Sequence, residues 1–255
     1  MIDLHCHILP GIDDGAPDVS VSLAMARAYV ADGVSTVACT PHIMPGLYDN
    51  AGPQILQAVA ELQVELDRES IPLRLVAGAD IHIVPGLAAG VQSGRLPALG
   101  GSRYILIELP HHVAPLRTEN LFFDLLVAGY VPILTHPERL SWIGSHYAMI
   151  ERMVCSGALM QITAGSLAGA FGQSARYWAE RMLDEERVHV IASDAHDVTR
   201  RPPDLARGRD LAARRVGPGE ALHLVLTRPH GILANHHPSD LPMPPPADRV
   251  QRNVR

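Results

Sequence analysis

Val188-His-Val-Ile-Ala-Ser-Asp-Ala-His196 carries two messages in one short stretch. Its first half is near-continuously apolar rather than alternating. A strand of that kind is expected to bury both faces, as in a parallel sheet covered by helices. Its second half delivers a carboxylate and an imidazole, Asp194 and His196, at i and i+2, where the strand should end. Tyr104-Ile-Leu-Ile-Glu108 has the same build: apolar along its length, acidic at its last residue.

Outward from these two segments, short β-rich runs alternate with helical patterns. Strands are expected over 2–5, 35–40, 73–78, 104–109, 131–135, 159–163 and 188–193. Between them, 19–31 has Asp18 as its N-cap and Gly33 as its stop, and 55–68 is apolar on one face. The patterns at 121–128 and 147–155 run into Gly129 and Gly157. Seven strand–helix units without a long structureless break predict one α/β domain over residues 1–235. A closed or nearly closed barrel is favoured, and a doubly wound open sheet is the alternative. From 236 to 255 the chain is Pro-rich, as in Pro242-Met-Pro-Pro-Pro-Ala-Asp, and lacks apolar periodicity. That composition predicts a flexible tail.

Almost every expected strand ends in a group that binds metals: His5-Cys-His7, Thr40-Pro-His42, Gly78-Ala-Asp80, Glu108, His136 and Asp194-Ala-His196. In parallel α/β barrels the C-terminal strand ends gather around one mouth, so these groups should converge. His5 and His7 lie two apart on an extended strand and should share a face, with Cys6 on the other. The turn-prone Gly11-Ile-Asp-Asp-Gly15 adds Asp13 and Asp14, either of which could reach the mouth. His82, His111 and His112 are read as surface-loop residues. Imidazoles and carboxylates without thiolates suit Zn²⁺, Mn²⁺ or Fe²⁺ better than Ca²⁺ or a structural zinc. The donors outnumber what one ion uses, so two or three metals are expected. Arg139 and Arg200-Arg201 stand beside the donors, and guanidinium forks match phosphate oxygens. The combined reading is a metal-dependent phosphoesterase.

Composition narrows the field further. With 255 residues, 47% of them apolar but only 4% aromatic, the core must rest on Ala, Val, Leu and Ile. A net charge of −6 argues against a general nucleic-acid binder. The three cysteines, Cys6, Cys39 and Cys155, are scattered and suit a reducing compartment. No apolar run approaches the roughly 20 residues of a membrane span, so a soluble, cytoplasmic protein is expected. A cysteine-nucleophile phosphatase would need an arginine six residues after the cysteine. Ile12, Pro45 and Gln161 hold those positions, so that route is excluded.

The opening Met1-Ile-Asp-Leu-His-Cys-His-Ile-Leu-Pro-Gly-Ile-Asp-Asp-Gly-Ala16 closely resembles that of bacterial tyrosine-protein phosphatases of the polymerase-and-histidinol-phosphatase (PHP) family. These accompany capsular and exopolysaccharide assembly systems. The resemblance continues through Thr40-Pro-His42, Leu106-Ile-Glu-Leu-Pro110, Pro132-Ile-Leu-Thr-His-Pro-Glu-Arg139 and Val190-Ile-Ala-Ser-Asp-Ala-His196, covering about residues 1–235. It implies a PHP fold, a distorted (β/α)7 TIM-like barrel, and a site of three divalent metals, usually manganese, with iron or zinc as alternatives. Carried over by position, the ligands are His5, His7, Asp14, His42, Asp80, Glu108, His136, Asp194 and His196. Glu108 is the expected bridging carboxylate, His42 lies among the catalytic groups, and Arg139 and Arg201 hold the phosphate. The implied reaction is hydrolysis of protein phosphotyrosine by in-line attack of a metal-bridging hydroxide, without a phosphoenzyme. The implied partner is an autophosphorylating bacterial tyrosine kinase; apart from the resemblance, Arg103, Arg117 and Arg200 are read as a basic rim that could attract its acidic phosphorylated tail, and an oligomer is compatible with this reading. Alternatives are a small phosphate monoester such as histidinol phosphate, or a non-catalytic metal-binding regulatory subunit. One position departs from the family pattern: Asp80 stands where Glu is usual, and its shorter arm puts one metal site in question.

Overall fold

Strands of this sequence are short, and most are followed by helix. A computed structural model describes residues 1–244. Its strands are β1 (Ile2–Cys6), β2 (Thr36–Cys39), β3 (His42–Ile43), β4 (Arg74–Ala77), β5 (Asp80–His82), β6 (Tyr104–Glu108), β7 (Val131–Thr135), β8 (Leu159–Thr163) and β9 (Val190–Ala192). Every ladder between them is parallel. The helices are α1 (Val19–Ala31), α2 (Gly52–Arg68), α3 (Leu87–Gln92), α4 (Thr118–Val127), α5 (Ile143–Cys155), α6 (Ala164–Leu167), α7 (Gly172–Asp184), α8 (Leu205–Leu222) and α9 (Arg228–Leu233). Asp18 caps α1 as expected, accepting from Val21 N at 3.0 Å.

The seven expected strands become nine because two of them bend. β2 and β3 are separated only by Thr40-Pro41, and β4 and β5 only by Gly78-Ala79. Pro41 cannot donate to a ladder, so the break falls where the pairing must change. The first halves make the order β1-β2-β4, and the second halves open the order β3-β5-β6-β7-β8-β9. The end of β9 then returns to β1: Asp194 N donates to His5 O and His7 N to Ala195 O, both at 2.9 Å. Lower in that seam the Asp3 carboxylate, fully buried, accepts from Ser193 N at 3.1 Å. A side chain thus replaces the missing backbone acceptor. An open doubly wound sheet would not bring its first and last strands together.

Two apolar clusters fill the layers. The larger lies between the helices and the outward strand faces and includes Met25, Ile55, Leu125, Ile150, Met182 and Leu205. The smaller lies inside the ring and includes Leu4, Ala38, Leu106, Ile133, Leu159 and Val190. Leu4 and Cys6 fall in different clusters although they are two apart. The cause is a register shift in β1: the four residues from Asp3 to Cys6 face the three from Val37 to Cys39. Such a bulge resets the inward–outward alternation.

The residues just beyond 235 differ from the expected flexible tail. Tyr104 OH donates to His236 O at 2.8 Å, and the buried Leu241 joins the inner cluster. The buried Arg228 reaches both Glu220, at 2.6 Å, and Pro242 O. Apolar spacing could not reveal this segment, because one leucine and backbone carbonyls hold it. Residues 245–255 of the expected tail lie outside the described residues.

Candidate metal centre

The ring puts the ends of its strands side by side, and all nine expected ligands meet there. His5, His7, Asp80, Glu108, His136, Asp194 and His196 are buried, His42 is half-buried, and Asp14 is the exposed member. Their donor atoms fall into overlapping groups. His7, Asp14, His42 and His196 form one; His5, His136 and Asp194 form another; His42, Asp80 and Glu108 form a third. The shared residues make this one centre.

Asp80 Oδ2 lies 3.6, 3.4 and 3.8 Å from nitrogens of His5, His42 and His136. The shorter carboxylate therefore still reaches the middle. Glu108 spans two groups, with Oε2 3.5 Å from His42 and Oε1 3.8 Å from His136. Asp194 Oδ1 faces His7 at 3.2 Å, while its Oδ2 accepts from both Arg139 and Arg201, the latter at 2.5 Å. Cys6 points into the helix-side core and its burial pushes the thiol up, which keeps it out of the chemistry.

Burial would raise the carboxylates, but their neighbours win. Asp80 is held well below its usual range by His5, His136 and His42, and Asp194 by His5, Arg201 and Arg139. His136 falls to about 4 through burial and Arg139, and His196 to about 4 through burial and His7. Both are neutral at pH 7 and keep a lone pair free to ligate. His7 goes the other way. Burial lowers it, but Asp13 and Asp194 lift it to about 10. Its proton is the one a metal would displace. His42 Nδ1, Asp80 Oδ2, Glu108 Oε2 and His196 Nε2 are buried without a hydrogen-bond partner. Buried polar groups are rarely left so, and a cluster of them facing one another fits divalent cations.

The backbone is bent to reach this arrangement. His136 and Asp194 adopt φ of 33° and 52°, a left-handed region that non-glycine residues enter uncommonly. The family match spans all of these residues. The family model described as "Capsular polysaccharide synthesis, CpsB/CapC" matches residues 1–234.

The chain belongs to the CpsB/CapC family.

Tyrosine-protein phosphatase YwqE of Bacillus subtilis is 41% identical over 201 residues, covering 79% of each chain. Tyrosine-protein phosphatase CpsB of Streptococcus pneumoniae is 26% identical over 238 residues, covering 91% of this chain and 98% of that one. A chain from the crystal structures of YwqE and CpsB, described there as unique metal-dependent tyrosine phosphatases, superposes with a TM-score of 0.89 at 36% identity. It covers 98% of this chain and 100% of that one.

Other groups at this mouth have roles that the sequence did not assign. Gln161 Oε1 takes the second nitrogen of His5 at 2.8 Å, and Asp13 Oδ2 that of His7 at 2.7 Å. Both fix which imidazole nitrogen faces the centre. Asp13 was foreseen as a turn residue near the mouth; it also accepts from Gly15 N and His42 N. His111, expected in a surface loop, stands 3.4 Å from Glu108 and groups with Glu108 and His136. The expected basic rim needs a correction. Arg103 precedes β6 and bonds Asn235 at the far end of the ring, about 16 Å of strand away from Glu108. Arg117 and Arg200 lie in loops that leave the strand ends, and Arg200 is 91% exposed. Among the described residues no helix is long and apolar enough to cross a membrane.

Proposed function

We propose that this protein is a metal-dependent protein-tyrosine phosphatase, a phosphoric monoester hydrolase. One observation carries the reading: nine imidazoles and carboxylates converge at one ring mouth beside two arginines that share a single Asp194 oxygen. His5, His7, Asp14, His42, Asp80, Glu108, His136, Asp194 and His196 would hold the ions, three in number and manganese by preference. Bound divalent metals supply Lewis acidity and lower the pKa of water toward neutrality.

The protein's own groups do the rest. Arg139 and Arg201 bind the phosphoryl oxygens, and their bond to Asp194 sets them at the edge of the ligand cluster. Arg201 Nε is buried without a partner, so a donor is left for an anion. Glu108, placed between His42 and His136, ties two donor groups into one centre. Gln161 and Asp13 lock the rings of His5 and His7, so the lone pairs are aimed before substrate arrives. Charge that spreads over the transferring phosphoryl oxygens meets fixed guanidiniums, which is the main source of rate in such transfers. The kinship to YwqE and CpsB supports phosphotyrosine over a small ester. In that setting the substrate is a tyrosine kinase of the capsule or exopolysaccharide system, met in the cytoplasm.

A substrate panel tests this. Metal-loaded protein is given a phosphotyrosine peptide, a phosphoserine peptide and histidinol phosphate at equal concentration. Phosphate release from the phosphotyrosine peptide should lead by at least about tenfold in kcat/KM, about 1.4 kcal/mol of discrimination. Preference for histidinol phosphate would transfer the site to a small-ester phosphatase.

A further inference from the structure

Phe171 follows β8, where the sequence places no metal donor. Its half-buried ring centroid lies 4.4 Å from the guanidinium carbon of Arg139 and 5.6 Å from that of Arg201. These are the two arginines that donate to the same Asp194 oxygen. Arginine side chains have many rotamers, and an aromatic face attracts a guanidinium and limits where it can lie.

The ring is braced from behind. A Cβ built on Gly165 would stand 3.0 Å from Phe171 Cε2, so the ring rests on the backbone of α6. Gly169 and Gly172, at φ of 83° and 86°, bracket Ala170-Phe171 in a turn that other residues would strain. Ala170 N donates to Gly165 O at 2.9 Å and closes that turn. The turn is also tied to the one that carries Arg139. Glu138, buried next to Arg139 in sequence, accepts from Thr163 N at 2.9 Å and Ser166 Oγ at 2.7 Å.

We propose that Phe171 is a positioning residue for phosphate recognition, whose ring holds the Arg139 and Arg201 guanidiniums in the pose that receives the phosphoryl group. The proposal rests on the phosphatase reading, which makes those arginines the phosphate's partners. Without the ring, both guanidiniums gain freedom to swing toward solvent, and affinity for phosphate falls while the ligand cluster is untouched.

Phe171→Ala, Phe171→Leu and Phe171→Tyr are compared in metal-loaded protein for KM and kcat on a phosphotyrosine peptide and for inhibition by inorganic phosphate. Loss of the ring in the Ala and Leu variants should raise KM and the phosphate inhibition constant about fivefold to tenfold. Metal content should stay at the wild-type value, and Phe171→Tyr should restore both constants. Unchanged constants in Phe171→Ala would overturn the proposal. So would full restoration by Phe171→Leu, because apolar bulk alone would then suffice. Should wild-type protein fail to hydrolyse the peptide, the phosphatase reading falls, and thermal stabilisation by inorganic phosphate still decides the role of Phe171. Stabilisation lost in Phe171→Ala would support it. Equal stabilisation of both proteins, or none in wild type, would overturn it.

Discussion

The two ends of the ring interior are built from the same strands and behave as opposites. Leu106, Ile133 and Leu159 belong to the inner apolar cluster. Two residues further along the same strands, the inward positions are Glu108, Thr135 and Gln161. The lower end is sealed by Leu4, Tyr104, Ile232 and Leu241, and it supplies burial. The upper end gathers buried groups, several without partners, and it supplies chemistry. Packing of the first kind is what lets the second persist, since unpaired buried polar groups cost stability wherever they occur.

This contrast can be broken from either side. His136→Ala, at the upper end, should cut phosphotyrosine turnover about a thousandfold, in line with the removal of one preorganised electrostatic contact. Circular dichroism should show the fold intact; a loss of less than tenfold would place the chemistry elsewhere. Ile133→Ala, three residues earlier and within β7, should do the reverse. It should lower unfolding free energy by about 2–5 kcal/mol in denaturant melts, with kcat of the folded protein within about twofold of wild type.

Gln161→Leu falls between the two. It keeps the volume near His5 but removes the acceptor at 2.8 Å, so metal affinity should weaken about 10–100-fold by metal-buffered titration. Unchanged affinity would reduce Gln161 to packing. The smallest effect concerns acid. His189 is buried, accepts from Met160 N at 3.1 Å, and is lowered to about 3 by burial and Arg228. Its folded pKa lies below the unfolded value of about 6.5. The stability it gives is therefore present above that value and is lost as pH falls from there toward 3. His189→Asn, whose carbonyl can take the same donor, should flatten that decline in Tm. A parallel decline in both proteins would assign the acid sensitivity to other groups.

The strands and eight of the nine expected ligands were legible because each is a local signal, an apolar run and then a donor at its end, whereas Asp14 was set apart from Asp13 only by the family resemblance. What was not legible depends on partners far apart in the chain. Gln161 meets His5 across 156 residues, and Ser193 meets Asp3 across 190, with no spacing to announce either. The bulge that separates Leu4 from Cys6 follows from how β1 pairs with β2. His111 reads as a loop residue until the turn after β6 folds it back onto Glu108. Arg103 was misplaced for a simpler reason: it is near Glu108 in sequence, but a whole strand lies between them.

The most direct test of the central claim is a metal titration of phosphotyrosine-peptide turnover. The protein is stripped of metal and returned separately to Mn²⁺, Fe²⁺, Zn²⁺ and Mg²⁺, with bound metal counted alongside. The account predicts no turnover in stripped protein and recovery that rises with bound metal, highest with Mn²⁺. Full turnover in the stripped protein, or stoichiometric metal binding with no turnover under any ion, would contradict it.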